Sequence, residues 1–159
     1  MAEGSKRQYS LLIDEKPVGK ESVRVSKNIG RTADKSRAFM ESVKWIAKAE
    51  HVKPMDCCIV DLYICVPIRV GPNGEELEPK KRPDEDNVRK GCKDALQGIS
   101  YSNDAHVIWG HSGYVFLDAG EKPRTLVVIT ECEWTEFRHR GPVRVEYSLK
   151  ERPIGESSL

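Results

Sequence analysis

Lys80-Lys81-Arg82-Pro83-Asp84-Glu85-Asp86-Asn87-Val88-Arg89-Lys90-Gly91-Cys92-Lys93-Asp94-Ala95-Leu96-Gln97-Gly98 reads as a loop that becomes a helix. Pro83 disfavours the α region for Arg82 and is common where helices begin. Asp84 or Asp86 suits the N-cap, and Gly98 stands where a left-handed C-terminal cap belongs. The helix between these signals is about three turns long. At about 100° per residue, Val88, Cys92, Ala95 and Leu96 share one side, and Asp86, Lys90, Lys93 and Asp94 share the other. One face packs, and the other is open to chemistry. Asp84 and Asp86 both project near the positive N-terminal end, with Lys90 one turn beyond Asp86. Capping alone accounts for such aspartates. The alternative is a cation site, since hard cations such as Mg²⁺ take carboxylate oxygens, keep several waters and are often completed by substrate phosphate.

Upstream, residues 57–70 form the most strand-like run in the chain. Cys58, Val60, Leu62, Ile64, Val66, Ile68 and Val70 alternate onto one face, and many apolar residues lie on the other. This predicts a central strand buried on one face and largely covered on the other, with Asp61 and Tyr63 as exceptions that suit a sheet surface. Residues 71–82 show no periodicity and many turn residues, which predicts a mobile loop that delivers a basic triplet to the helix. This basic run makes Lys80, Lys81 and Arg82 the foremost candidates for contacting nucleic-acid phosphates.

The rest of the chain supplies the layers. Residues 9–13 and 21–26 alternate as strands around a turn at 15–20, and Lys20 and Arg24 bring positive charge there, either as a solvated face or as a phosphate-contacting rim. Phe39, Val43, Ile46 and Ala47 recur at helical spacing within residues 34–49, which predicts an amphipathic helix. Residues 107–109 and 114–116 flank Gly110-His111-Ser112-Gly113 as one irregular strand or two short ones, with His111 a surface residue. Residues 125–130 and 143–149 are further strands, and residues 150–159 read as a frayed tail. The order implies a single α+β domain over residues 1–159: a mixed β-sheet with two amphipathic helices packed on one face.

Charged residues nearly balance, at a net charge of +1, so affinity for nucleic acid has to come from local basic clusters. Five cysteines without paired zinc spacing read as reduced thiols of a cytoplasmic protein. No run approaches the roughly 18 apolar residues of a membrane span, and the N-terminus lacks the apolar core of a signal peptide. No membrane partner is expected.

A third carboxylate follows the helix in Tyr101-Ser102-Asn103-Asp104-Ala105-His106-Val107. With it the chain resembles the RusA-type Holliday junction resolvases. Their pattern is Asp-x-Asp-Asn, three residues to a Lys, an Asp-Ala-Leu helix end, then Asp-Asp-Ala-Gln-(Val/Ile). The matching residues are Asp84, Asp86, Asn87, Lys90, Asp94-Ala95-Leu96 and Asp104-Ala105-His106-Val107, all within residues 80–109. The resemblance implies an endodeoxyribonuclease in which Asp84, Asp86 and Asp104 are the acidic active-site residues and Lys90 a fourth essential group. It also implies Mg²⁺, with Mn²⁺ as a substitute, as the cofactor. A homodimer acting on four-way junction DNA goes with it, and cutting both strands symmetrically calls for two sites about a two-fold axis. A bacterial or phage setting is where this family often occurs.

Asn87 is expected to support the site by hydrogen bonding and to face DNA, and Asp94 to pair with Lys90 or Lys93. Two residues depart from the pattern: Asn103 replaces the first Asp of the Asp-Asp pair and His106 replaces Gln. Asn103 keeps an oxygen but no charge, so it supports the site more weakly. A catalytically silent junction binder and a metal-dependent nuclease acting on other branched or duplex DNA are the alternative readings.

Overall fold

Alternation along residues 58–67 decides where everything else packs. In the computed structural model, which describes residues 4–20, 29–139 and 141 (backbone alone for 29–33), they form strand β2, Cys58–Pro67. Before it come β1, Gln8–Ile13, and helix α1, Ile29–Ala49. After it come β3, Arg69–Val70, β4, Glu76–Leu77, and helix α2, Glu85–Leu96, followed by β5, Val107–Trp109, β6, Ser112–Leu117, and β7, Arg124–Glu131. The sheet is mixed. β7 lies between β1 and β2 and is antiparallel to both, while the other edge of β2 is taken by β5 and then β6, each parallel to it.

Parallel neighbours need a crossover, and α2 is the helix that makes it between β2 and the β5–β6 edge. Cys58, Val60, Leu62, Ile64 and Val66 all point to one face and are at most 5% exposed. Leu11 and Ile13 of β1 and Val127 and Ile129 of β7 join them. Over this surface lie Phe39, Val43 and Ala47 of α1 and Val88, Cys92, Ala95 and Leu96 of α2, in one apolar cluster with Tyr101. The architecture is α+β with both helices on one face of a mixed sheet, as expected. No helix among the described residues is long and apolar enough to cross a membrane.

Several boundaries differ from the sequence reading, each for a local reason. The central strand stops at Pro67, which cannot donate to a ladder, and Ile68 turns its N–H to Leu117 O at 2.9 Å. Arg69–Val70 then pairs with Glu76–Leu77, so residues 71–75 are a hydrogen-bonded hairpin turn, not a free loop. Gly71 N donates to Glu75 O at 2.8 Å, and Gly74 adopts the left-handed φ of 79° that a side chain resists. Helix α1 begins at Ile29, five residues before the expected start. Trp45 on α1 is 71% exposed and outside the core. The strands expected at 21–26 and 143–149, the tail at 150–159 and Arg24 lie outside the described residues.

Candidate active site

Helix α2 presents its N-terminal end beside β6. Asp84 is the N-cap, in extended conformation, and its Oδ1 accepts the Asn87 backbone N–H at 3.1 Å. The preceding Pro83 carbonyl accepts the Tyr114 hydroxyl at 2.7 Å, which ties the helix entrance to the sheet. One turn on, the Lys90 ammonium donates to Asp86 Oδ2 at 2.7 Å, and both side chains are mostly exposed. That hydrogen bond, with the charge of Asp86, holds the Lys90 pKa above its ordinary value, so the group stays a cation at neutral pH. Asp84, Asp86 and Lys90 thus stand together, open to solvent, at the positive end of a helix.

Asn87 is held at both backbone ends, since its carbonyl accepts the Lys20 N–H at 2.9 Å. Lys20 and Asp94 form an ion pair. This corrects one expectation: Asp94 pairs with Lys20 and, among the described residues, with neither Lys90 nor Lys93, while the Lys20 side chain stays exposed at the surface. The partner of Asp94 is 74 residues away in the chain, beyond the reach of helical spacing.

Asp61, expected at a sheet surface, is buried at 6% exposure. Its Oδ1 accepts the His111 N–H at 2.9 Å and lies 3.7 Å from His111 Nδ1. Arg89 of α2 donates Nη1 to Val60 O at 2.9 Å and to His111 O at 3.3 Å. Gly110 fills the space between Val60 O and the Arg89 guanidinium, where no Cβ fits. These groups brace the point where the edge of β2 passes from β5 to β6. Asp61 is therefore structural, and His111, exposed as expected, is fixed by its backbone.

Asp104 is exposed in a single 3-10 turn, Asp104–His106, capped by Asn103 Oδ1, which accepts the Ala105 N–H at 2.8 Å. His106, where the RusA-type pattern has Gln, buries Nδ1 without a partner. The turn runs into Val107, opposite Cys58 at the start of β2, whereas Tyr114, which touches the α2 entrance, stands opposite Ile64. Six residues of strand separate those levels, on the order of 20 Å. Asp104 also stands among the charges acting on Tyr101, whose hydroxyl binds Lys93 O at 2.7 Å near the far end of α2. The structure brings Asp84, Asp86 and Lys90 together and leaves Asp104 toward the opposite end. Among the described residues, no three His, Cys, Asp or Glu side chains are gathered closely enough to hold a metal ion.

Of the basic triplet, Lys80 and Lys81 are exposed, while Arg82 is engaged twice. It pairs with Glu78 at 2.7 Å, and its guanidinium lies over the rings of Tyr114 and Phe116, at 4.9 and 5.7 Å. The two rings stack with centroids 6.5 Å apart and planes 22° from parallel. Sequence reading missed this assembly, though the i, i+2 spacing of Tyr114 and Phe116 in a strand could have shown that they share a face. All five cysteines are free thiols, and burial pushes Cys58 and Cys92 up to about 12, so both are inert packing groups.

A family model described as Endodeoxyribonuclease RusA matches residues 14–130, well over half of the chain. The chain belongs to that family. No curated protein matches it. Membership in the RusA family makes it an endodeoxyribonuclease of the Holliday-junction-resolving kind, and the match covers every described strand except β1 and the last residue of β7. The Mg²⁺ that the family resemblance implies fits the donor chemistry here: the candidate ligands are carboxylate oxygens, exposed, with one Asp84 oxygen taken by the cap. Within one chain they supply that chemistry from two places, Asp84 with Asp86 and, separately, Asp104.

Proposed function

We propose that this RusA-family nuclease is a Mg²⁺-dependent resolvase that acts as a homodimer and cuts opposed strands of a four-way DNA junction at symmetric positions. The observation that supports it most is the α2 N-terminus, where Asp84, Asp86 and Lys90 stand exposed together directly after the basic run Lys80, Lys81 and Arg82. Asp84, Asp86 and Asp104 would hold Mg²⁺, or Mn²⁺ in its place. When bound, the ion polarises the scissile phosphate and makes its water a better nucleophile. The chain's own part is positioning and charge. Lys90 rests on Asp86 and can turn to the phosphate, where a fixed cation counts most as negative charge develops on the non-bridging oxygens. Lys80 and Lys81 meet the backbone of the duplex arm, and Asn87 keeps the cap that orients Asp84.

Asp104 fits the same reading through the dimer. Two copies of α2 set antiparallel about a two-fold axis bring the Asp104 end of one copy to the Asp84 end of the other. Each site then draws carboxylates from both chains. Equimolar mixing of Asp86→Asn and Asp104→Asn chains should restore part of the junction cleavage that each lacks alone; no recovery would mean that one chain supplies the whole site.

The deciding assay offers labelled four-way junction and linear duplex to the protein, with Mg²⁺ and with chelator. Paired symmetric incisions on the junction that stop with chelator are expected. Cleavage that persists after exhaustive chelation overturns the metal assignment, and equal cutting of linear duplex makes the protein a less selective nuclease. Binding without cutting makes it a junction-recognition protein.

A further inference from the structure

Tyr114 and Phe116 lie on the face of the sheet that the helices cover, because their strand partners Ile64 and Val66 point into the core. α2 covers this face only as far as its own N-terminus. Tyr114 sits at that limit, with its hydroxyl on Pro83 O, and Phe116 one step further along the strand is 47% exposed. From the place where Asp84 starts the helix, the sheet therefore continues as an aromatic floor that α2 does not cover. Arg82 lies over this floor, and its other charge partner, Glu78, is exposed on the same loop. A half-exposed phenylalanine, a fixed tyrosine and a guanidinium against their rings, next to two exposed lysines and an acidic catalytic helix end, are the components with which proteins hold an unstacked base. An apolar protein partner has no use for the cation; a nucleotide uses both the π-face and the charge.

Resting on the reading above of a branched-DNA substrate, we propose that Arg82, Tyr114 and Phe116 form a base-stacking platform for a nucleotide unstacked at the branch point, and that it selects junctions over continuous duplex. The base stacks against Phe116 and the guanidinium, while its phosphate faces Lys80 and Lys81. Continuous duplex keeps its bases stacked inside and offers the platform nothing; a branch point has already given up part of that stacking. The platform acts on binding and on the choice of substrate, and Tyr114 links it to the catalytic end through Pro83.

The test uses the full-length chain with chelator present, so that DNA stays intact, and measures affinity for junction and for linear duplex. A 2-aminopurine beside the branch point reports base stacking. Phe116→Ala is expected to weaken junction binding on the order of tenfold, with duplex binding within about twofold and with a changed 2-aminopurine signal. Phe116→Trp should restore both readouts, and Phe116→Leu, which keeps volume but lacks a π-face, should not. A Phe116→Leu chain that behaves as wild type overturns the platform, as does equal loss on junction and duplex. So does a Phe116→Ala chain that changes mass in solution while the 2-aminopurine signal stays unchanged, for the face then joins two copies of the chain. Wild type that shows this Phe116 dependence without cutting junctions in Mg²⁺ keeps the platform and sinks the resolvase reading. Wild type that cuts junctions indifferently to Phe116 does the reverse, and wild type that binds no branched DNA overturns both.

Discussion

The two ends of α2 are built on opposite principles. At the C-terminal end, Cys92, Ala95 and Leu96 are buried, the Tyr101 hydroxyl closes on Lys93 O, and Ser100 accepts the Met55 N–H through its carbonyl at 2.7 Å. Gly98 turns the chain with a φ of 88° and donates to Tyr101 O at 2.7 Å. Burial pushes the Tyr101 hydroxyl far above its ordinary pKa, so it stays a neutral donor. At the N-terminal end, Asp84, Asp86 and Lys90 face water, and what fixes them is one cap, the Tyr114 hydroxyl on Pro83 O, the Lys20 N–H on Asn87 O and the buried side chain of Val88. The welded end helps to hold the open one: three charged side chains gain nothing from burial, so their position is set by the apolar face of the helix, from Val88 one turn away to Leu96. Substitutions at the open end should therefore change chemistry without stability, and those at the welded end stability without chemistry.

The largest effect expected from this contrast is on cleavage. Asp86→Asn keeps side-chain size and removes a charge that no buried group depends on. Single-turnover junction cleavage should fall at least about a hundredfold, the scale on which an electrostatic contact to the reacting centre acts. The thermal midpoint should stay within about a degree, and junction binding should hold or tighten because repulsion of phosphate is relieved. Loss of activity matched by loss of the folded state would erase the distinction between the ends.

The opposite arm is Leu96→Ala. Removing a fully buried leucine that packs in the common cluster should cost about 2–5 kcal/mol by denaturant unfolding. Cleavage per folded molecule should stay within a few fold. A much larger loss per folded molecule would show that the anchor sets the open end more finely than a rigid helix needs.

How much of this was visible in the chain follows from the range over which each force acts. The α2 cap, its apolar face and the Gly98 stop are interactions within a few residues, and all stand as read. The alternation of β2 likewise announced a central strand, because side chains on a pleated strand face opposite ways whatever pairs with them. Ion pairs and braces across the fold left no such mark. Lys20 with Asp94, and Asp61 with the His111 backbone, join residues far apart in sequence, and either acid could have been solvated as far as local pattern shows. Asp104 is the sharpest case. Motif spacing put it beside Asp84 and Asp86, but the turn at residues 98–101 returns the chain at the welded end of α2, so one copy of the chain leaves it apart from the other two.

A third test separates holding DNA from cutting it. Neutralising Lys80, Lys81 and Arg82 together should lower junction affinity and flatten the slope of log affinity against log salt by about one unit for each phosphate left without its cation. The rate at saturating protein should change much less. Arg82→Gln alone, compared with Lys81→Gln, sharpens the result, because only Arg82 lies on the aromatic floor. The arginine change should reduce the preference for junction over duplex, while the lysine change lowers both affinities alike.

The smallest effect falls on the one residue that serves both purposes. Asp84 offers an oxygen to the candidate metal site while its Oδ1 caps α2 through the Asn87 N–H. Asparagine at position 84 retains a capping oxygen but not the charge; alanine retains neither. Both variants should lose cleavage to the same extent. Only Asp84→Ala should also lose about 1 kcal/mol of stability, a drop of roughly 2–4 °C in the thermal midpoint for a chain of this size. The difference between Asn and Ala isolates the cap, since the two substitutions share the loss of the carboxylate. If Asp84→Ala proves as stable as Asp84→Asn, the cap contributes nothing measurable and the entrance of α2 is held by the Tyr114 hydroxyl on Pro83 O. Tyr114→Phe should then release it: cleavage would fall in a protein whose aspartates and lysine are all intact, and the open end would be fixed by the sheet, not by the helix.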